Sequence, residues 1–212
     1  GWVRNHGRHV KVGSFPISID CDQFVQMAER GGIDEEIRSI RDYYNADILA
    51  VGVDRLDYTK GILERLQAIE ILLEAHPDIQ GKFTFIQLAA PSRTKVHAYQ
   101  MLREQVEQQI GRINGRFGGR GCVPVDYRYE EHTQEQLVAY YRAADVAIVT
   151  PLRDGMNLVA KEYVACNQGH GVLVLSELAG AAAEMGEAFL VNPFDEEKTA
   201  EIVRAFLAEG AD

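Results

Sequence analysis

The sequence predicts a doubly wound α/β domain built on a mainly parallel sheet, and three observations carry that expectation. Short apolar runs of strand length alternate with amphipathic stretches of helical period. No hairpin signal separates neighbouring runs, and the runs are short and mostly apolar, as strands covered on both faces require.

Taken in order, residues 10–19 read as an extended segment containing Pro16, and residues 20–45 as two polar helical stretches separated by Gly31 and Gly32. The run 48–53 is a compact apolar strand bounded by charge. A helix over 61–76 places Ile62, Leu63, Leu66, Ile69, Leu72 and Leu73 at helical spacing and ends at Pro77. Strand 83–88 and a long helix over 95–113 follow, and the glycines between 111 and 121 mark a loop. Strand 123–127, helix 134–143, strand 146–149, helix 156–166 and strand 172–175 continue the alternation. A helical turn at 180–185, a strand at 189–191 and a helix over 195–207 complete it.

At 212 residues and 23.7 kDa, one large domain is expected. A formal charge of −10 argues against general nucleic-acid binding, which needs a basic surface, but leaves room for a small anion held by a few cations. Cys21, Cys122 and Cys166 are odd in number and show no metal-ligand spacing, so neither a disulfide framework nor a zinc site is expected. The six histidines, His6, His9, His76, His97, His132 and His170, are scattered in the same way. No metal or other cofactor is therefore anticipated. The amino terminus lacks an apolar signal core and no run is long enough to span a bilayer, which favours a cytoplasmic compartment without a membrane partner.

In open α/β sheets ligands bind beyond the carboxyl ends of the strands, so residues just after strands are the site candidates. Arg55 and Lys60 follow strand 48–53 in a turn that opens a helix at Gly61. A guanidinium fork, an ammonium and free helix-start amides suit a pyrophosphate, although pairing of the two cations with Asp54 and Asp57 would explain them equally well. After strand 146–149, Arg153 and Asp154 lie in the turn, and the backbone amides of Gly155, Met156 and Asn157 would form a nest for sugar or phosphate oxygens. Glu162 lies two helical turns beyond Asp154, where its carboxylate suits a vicinal diol. The plainer alternative makes Asp154 a helix cap and Glu162 a solvated charge. Arg93, past strand 83–88, suits a phosphate or is a lone surface arginine. Tyr127, Tyr129, Tyr140 and Tyr141 read as packing residues, and Asn114-Gly115 as a turn.

Four strings together resemble the trehalose-phosphate synthases, retaining glucosyltransferases of the GT-B fold: residues 55–61 (RLDYTKG), 91–93 (PSR), 111–115 (GRING) and 150–163 (TPLRDGMNLVAKEY). The resemblance covers about residues 15–192. It implies the carboxyl-terminal, donor-binding Rossmann-like half of such an enzyme over 15–212, with 1–14 a stub or linker from a missing amino-terminal domain. It further implies glucose transfer from UDP-glucose to glucose 6-phosphate, forming trehalose 6-phosphate and UDP. Carried over by position, Arg55 and Lys60 would hold the donor diphosphate, and Asp154 with Gly155, Met156 and Asn157 the donor glucose. Leu158 and Val159 would lie by the diphosphate and nucleoside, Glu162 on the ribose, Arg93 on the acceptor phosphate, and His132 by the uracil through its main chain. Arg55, Lys60 and Asp154 are the expected catalytic group. Without the amino-terminal domain the chain is expected to bind donor but turn over poorly. A glucosylglycerol-phosphate synthase-like transferase and a non-catalytic nucleotide-sugar-binding module are the alternatives.

Overall fold

The computed structural model describes residues 1–209 apart from 14, 120, 168 and 170. The expectations that touch Ser14, His170 and residues 210–212 lie outside the described residues.

The chain opens with an antiparallel hairpin, β1 (Trp2–Asn5) and β2 (Arg8–Lys11), where an extended segment beginning at residue 10 was expected. His6 and Gly7 have φ of 46° and 79°, the pair of left-handed residues that a two-residue hairpin turn demands. The His-Gly pair is a weaker hairpin signal than Asn-Gly. From Val12 to Ile19 the described backbone forms no strand.

Two helices follow: α1 (Cys21–Ala28), capped by the Asp20 carboxylate, and α2 (Ile33–Tyr44), entered through Gly32 and closed on left-handed Asn45. The layered domain then runs β3 (Ile48–Arg55), α3 (Ile62–Ala75), β4 (Phe83–Ala90), α4 (His97–Phe117) and β5 (Val125–Arg128). Its second half runs α5 (Gln134–Ala143), β6 (Val146–Val149), α6 (Leu158–Asn167), β7 (Val172–Ser176), β8 (Phe189–Val191) and α7 (Glu196–Glu209). A short 3-10 turn spans Gly180–Ala183.

The loop expected from the glycines at 111–121 is corrected at its start and begins only at Gly118. Gly111 and Gly115 lie inside α4, which continues to Phe117. Asn114, read as a turn residue, projects from the helix and exchanges hydrogen bonds of 2.9 Å with the backbone of Val125, fixing α4 to β5. Tertiary contact overrides the local glycine penalty there.

The strand order is β5-β4-β3-β6-β7-β8, and every pairing within this six-stranded sheet is parallel. Side chains along each strand alternate between two cores. Val146 and Ile148 face the core built with α3, α4 and α7, whereas Ala147 and Val149 face the core built with α1, α2, α5 and α6. Covering on both faces explains the apolar strand sequences.

Sheet order reverses at β3, whose chain continues to β4 on one side while β6 lies on the other. This is the topological switch point. β3 and β6 share register only at Ala50–Val146 and Val51–Ala147, while β3 stays paired with β4 as far as Arg55. Beyond Val51 the two strands therefore part, and the crevice between their carboxyl ends is where the site residues gather.

Candidate functional site

A cleft of about 940 Å³ opens at that switch point. Arg55, Lys60, Asp154, Gly155, Met156, Asn157, Leu158, Val159 and Glu162 all line it, so the structure brings together residues from two separate segments. Phe15, Pro16 and Ile17 form part of the wall as well. The sequence marked that segment only as extended chain and named none of it as a site residue, and Phe15 stands 91% exposed beside the cleft.

The turn after β3 is rigid for local reasons. Asp57 caps the 3-10 turn Tyr58–Lys60, accepting from the Thr59 amide at 2.9 Å and the Thr59 hydroxyl at 2.8 Å. Burial works to raise the Asp57 carboxyl, but its bonds from Thr59 and Tyr99 and the nearby Arg55 charge hold it below the ordinary range. Asp57 thus serves the turn instead of neutralising Lys60. Asp54 is likewise turned inward, pairing with Arg65 at 2.6 Å. The pairing of Arg55 and Lys60 with Asp54 and Asp57, left open by the sequence, is not what forms. The Arg55 side chain is exposed at the cleft and makes no hydrogen bond or ion pair among the described residues.

Lys60 reaches across the crevice instead, donating to Asp154 Oδ2 at 2.7 Å. The Asp154 carboxylate also accepts from the Met156 amide at 3.3 Å and the Asn157 side-chain amide at 3.2 Å. Burial would raise its pKa, and these donors, led by Lys60, outweigh burial and lower it. Asp154 is therefore not the cap of α6. That position belongs to Asn157, whose Oδ1 accepts from the Ala160 amide at 3.1 Å while its own φ is +74°. The Met156 amide of the expected nest is already engaged. The first amides of α6, on Leu158 and Val159, have no hydrogen-bond partner among the described residues and remain as donors at the cleft.

The two loops are fastened to each other. The amides of Leu152 and Arg153 both donate to the Thr59 carbonyl, at 2.8 and 3.3 Å. Gly61 (φ +64°) lies so close to the Thr150 carbonyl that an added Cβ would stand 2.3 Å from it. Beneath them Arg65 is buried to 1% exposure and spans the parted strands. It donates to Thr150 Oγ1 (3.0 Å), Asp54 Oδ2 (2.6 Å), Gln87 Oε1 (2.9 Å) and the Lys60 carbonyl (3.2 Å). Sequence reasoning missed Arg65, although the signal was present. It occupies the buried stripe of α3, three residues after Ile62 and four before Ile69, where a lone charge demands partners.

Glu162 lies on the wall formed by α6. Its Oε2 accepts from the Tyr141 hydroxyl at 2.9 Å, and burial raises its pKa despite that bond. Tyr141, read from sequence as packing, is fully buried, and burial with the adjacent carboxylate pushes its hydroxyl well above the ordinary value.

Two expected residues stand apart. Arg93 does not line the cleft. It sits at φ +44° and donates to the Tyr99 hydroxyl at 3.0 Å, which in turn donates to Asp57 at 2.9 Å. The Arg93 guanidinium is thereby linked to the Lys60 turn through one tyrosine. The His132 side chain faces a separate cavity of about 300 Å³ with Arg128 and Tyr140. Among the described residues no three His, Cys, Asp or Glu side chains gather as metal ligands, and no helix is long and apolar enough to cross a membrane.

A Mycobacterium sp. (strain KMS) trehalose-6-phosphate synthase is 48% identical over 209 residues, covering 98% of this chain and 43% of that protein. The structure of an α,α-trehalose-phosphate synthase (UDP-forming) from Burkholderia xenovorans, in complex with glucose-6-phosphate, superposes with a TM-score of 0.91 at 41% identity. That match covers 96% of this chain and 45% of the other. An E. coli structure bound with UDP-2-fluoro glucose gives a TM-score of 0.88 at 40% identity, covering 94% and 44%. The chain thus spans less than half the length of the relatives it matches. Its parallel α/β layer is the fold of these GT-B glycosyltransferase structures. The family model for glycosyltransferase family 20 matches residues 1–210, and the chain belongs to that family.

Proposed function

We propose that this chain is the carboxyl-terminal, donor-binding half of a retaining trehalose-phosphate synthase. It would bind UDP-glucose at the switch-point cleft for transfer to glucose 6-phosphate. The observation that carries this reading is the convergence of Arg55, Lys60 and the free α6 amides on one cleft with Asp154 and Glu162. Three sources of positive charge meet two carboxylates of different surroundings, which is what a nucleoside diphosphate sugar presents in reverse. The glucose-6-phosphate and UDP-2-fluoro glucose bound by relatives support the two substrates.

In the mechanism proposed, the glucosyl–phosphate bond breaks as negative charge grows on the departing UDP. Lys60 and the Leu158 and Val159 amides stabilise that charge from fixed positions and the unpaired Arg55 guanidinium joins them, with no metal required. Lys60 begins paired with Asp154, so a diphosphate would share an ammonium already held in place. Asp154 would in turn accept hydroxyls of the donor glucose, and Glu162 those of the ribose. No enzyme carboxylate attacks the sugar; the leaving phosphate takes the acceptor proton, so the new bond forms on the face the old one leaves. Arg93 would meet the acceptor phosphate from a second domain across the cleft, and the main chain at His132 the uracil. The hairpin and residues 12–14 would lead from that domain, and 15–212 would form the donor half. Alone, the chain is proposed to bind donor and turn over poorly.

A thermal-shift panel of UDP, ADP, GDP and their glucose adducts tests this, because a ligand of the folded state raises apparent stability by RT ln(1 + [L]/Kd). UDP and UDP-glucose should give the largest shifts, and Lys60→Ala should weaken UDP binding and, in the whole enzyme, raise the barrier to transfer by about 2–4 kcal/mol. Unchanged UDP affinity in Lys60→Ala, measured by calorimetry, would remove the diphosphate assignment.

A further inference from the structure

We propose that Tyr141 is a positioning residue that aims the Glu162 carboxylate at the ribose diol of the nucleoside diphosphate and so sets the preference for ribose over deoxygenated sugars. The inference rests on the reading of the cleft given above and adds a residue to it.

Glu162 projects from α6 into the cleft, and its two oxygens have different surroundings. Oε2 is held by the Tyr141 hydroxyl at 2.9 Å, whereas Oε1 has no partner among the described residues. With one oxygen pinned, the carboxylate plane is fixed and the free oxygen keeps one direction toward the cleft. A vicinal diol offers two donors to such a group, and a fixed acceptor loses less rotamer freedom on binding them than a swinging one.

Tyr141 is itself immobilised. It shows no exposure, its ring meets that of Tyr163 edge-on at 6.2 Å, and its carbonyl accepts from the Asn167 side-chain amide at 3.1 Å. The hydroxyl comes from α5 and the carboxylate from α6, so the bond also links the two helices behind the cleft. The phenol donates to the ionised carboxylate and opposes the burial that favours its protonation. Without that donor, Glu162 is free to turn and readier to take up a proton, and a protonated carboxyl accepts a diol less well.

The test is calorimetric titration of this chain and of Tyr141→Phe with UDP, 2′,3′-dideoxy-UDP and inorganic pyrophosphate. The substitution removes one oxygen atom and keeps the ring. Wild type should bind UDP more tightly than its dideoxy analogue, and in Tyr141→Phe that ratio should fall by about five- to tenfold. Pyrophosphate affinity should be the same in both, because that ligand touches Arg55, Lys60 and the α6 amides and not Glu162. A ratio unchanged in Tyr141→Phe overturns the proposal. So does an equal loss for all three ligands, which is the signature of general damage. If wild type binds UDP and the dideoxy compound equally, the ribose assignment of Glu162 fails, and the role of Tyr141 falls with it. If wild type discriminates and Tyr141→Phe does so equally well, only the role of Tyr141 fails.

Discussion

Arg65→Met isolates the buried pair that fastens the two cleft loops. Arg65 and Asp54 are each 1% exposed in their side chains and lie 2.6 Å apart. Methionine fills comparable space but donates nothing, so Asp54 keeps only the Gln87 amide at 3.3 Å. Leaving one member of a buried ion pair uncompensated costs about 3–5 kcal/mol, a large share of the roughly 5–15 kcal/mol that holds a typical domain together. The Thr150 hydroxyl and the Lys60 carbonyl lose their donor as well, which frees the loops that carry Lys60 and Asp154. Urea unfolding followed by circular dichroism reads the loss as a fall in midpoint at constant slope. Because most of the penalty belongs to the stranded carboxylate, Asp54→Asn/Arg65→Met should be more stable than Arg65→Met alone, with a coupling of about 2 kcal/mol. A cost below about 1 kcal/mol for Arg65→Met, or a double variant no more stable than the single one, would refute the reasoning.

Two further outcomes follow from the same geometry. Gly180→Ala places a Cβ 2.1 Å from the Gly155 carbonyl oxygen and 3.1 Å from Met156 Cα, so the loop of 154–157 must move. The expected cost is about 1–3 kcal/mol in stability with weaker UDP binding by calorimetry, and a variant equal to wild type in both would show the loop to be compliant. Asp154 titrates below its ordinary value of 3.8 in the folded chain, so its stabilising contribution is complete above that value. It is lost as the pH falls through the lowered value. Acid-unfolding curves of wild type and Asp154→Asn should therefore be parallel at neutral pH and converge below 3.8. Parallel curves down to complete unfolding would mean that Asp154 is not held ionised by Lys60.

Much of the site was legible because its residues follow strands. Arg55 and Lys60 come shortly after the apolar run 48–53, and Asp154 shortly after 146–149, so fold class alone marked both turns. Their partners were not legible. Asp54, Asp57 and Asp154 are all near Lys60 in chemistry, and choosing among them needs the register of β3 against β6, which no local pattern contains. Tyr141 shows the same limit, since an apolar ring and a buried donor look alike until α6 places Glu162 against the hydroxyl. The Asn114-Gly115 pair failed for the opposite reason: a strong local turn signal yielded to the backbone of Val125.

The sequence by itself determined the alternation of strands and helices, because burial on two faces demands apolar strands and periodic helices, and it determined which turns hold charge. Tertiary structure alone decided that Lys60 takes Asp154, that Arg65 occupies the gap where β3 and β6 part, and that Phe15–Ile17 joins the cleft wall. The first two outcomes join residues 94 and 85 positions apart in the chain, and all three are set by how the chain folds back rather than by any neighbouring residue.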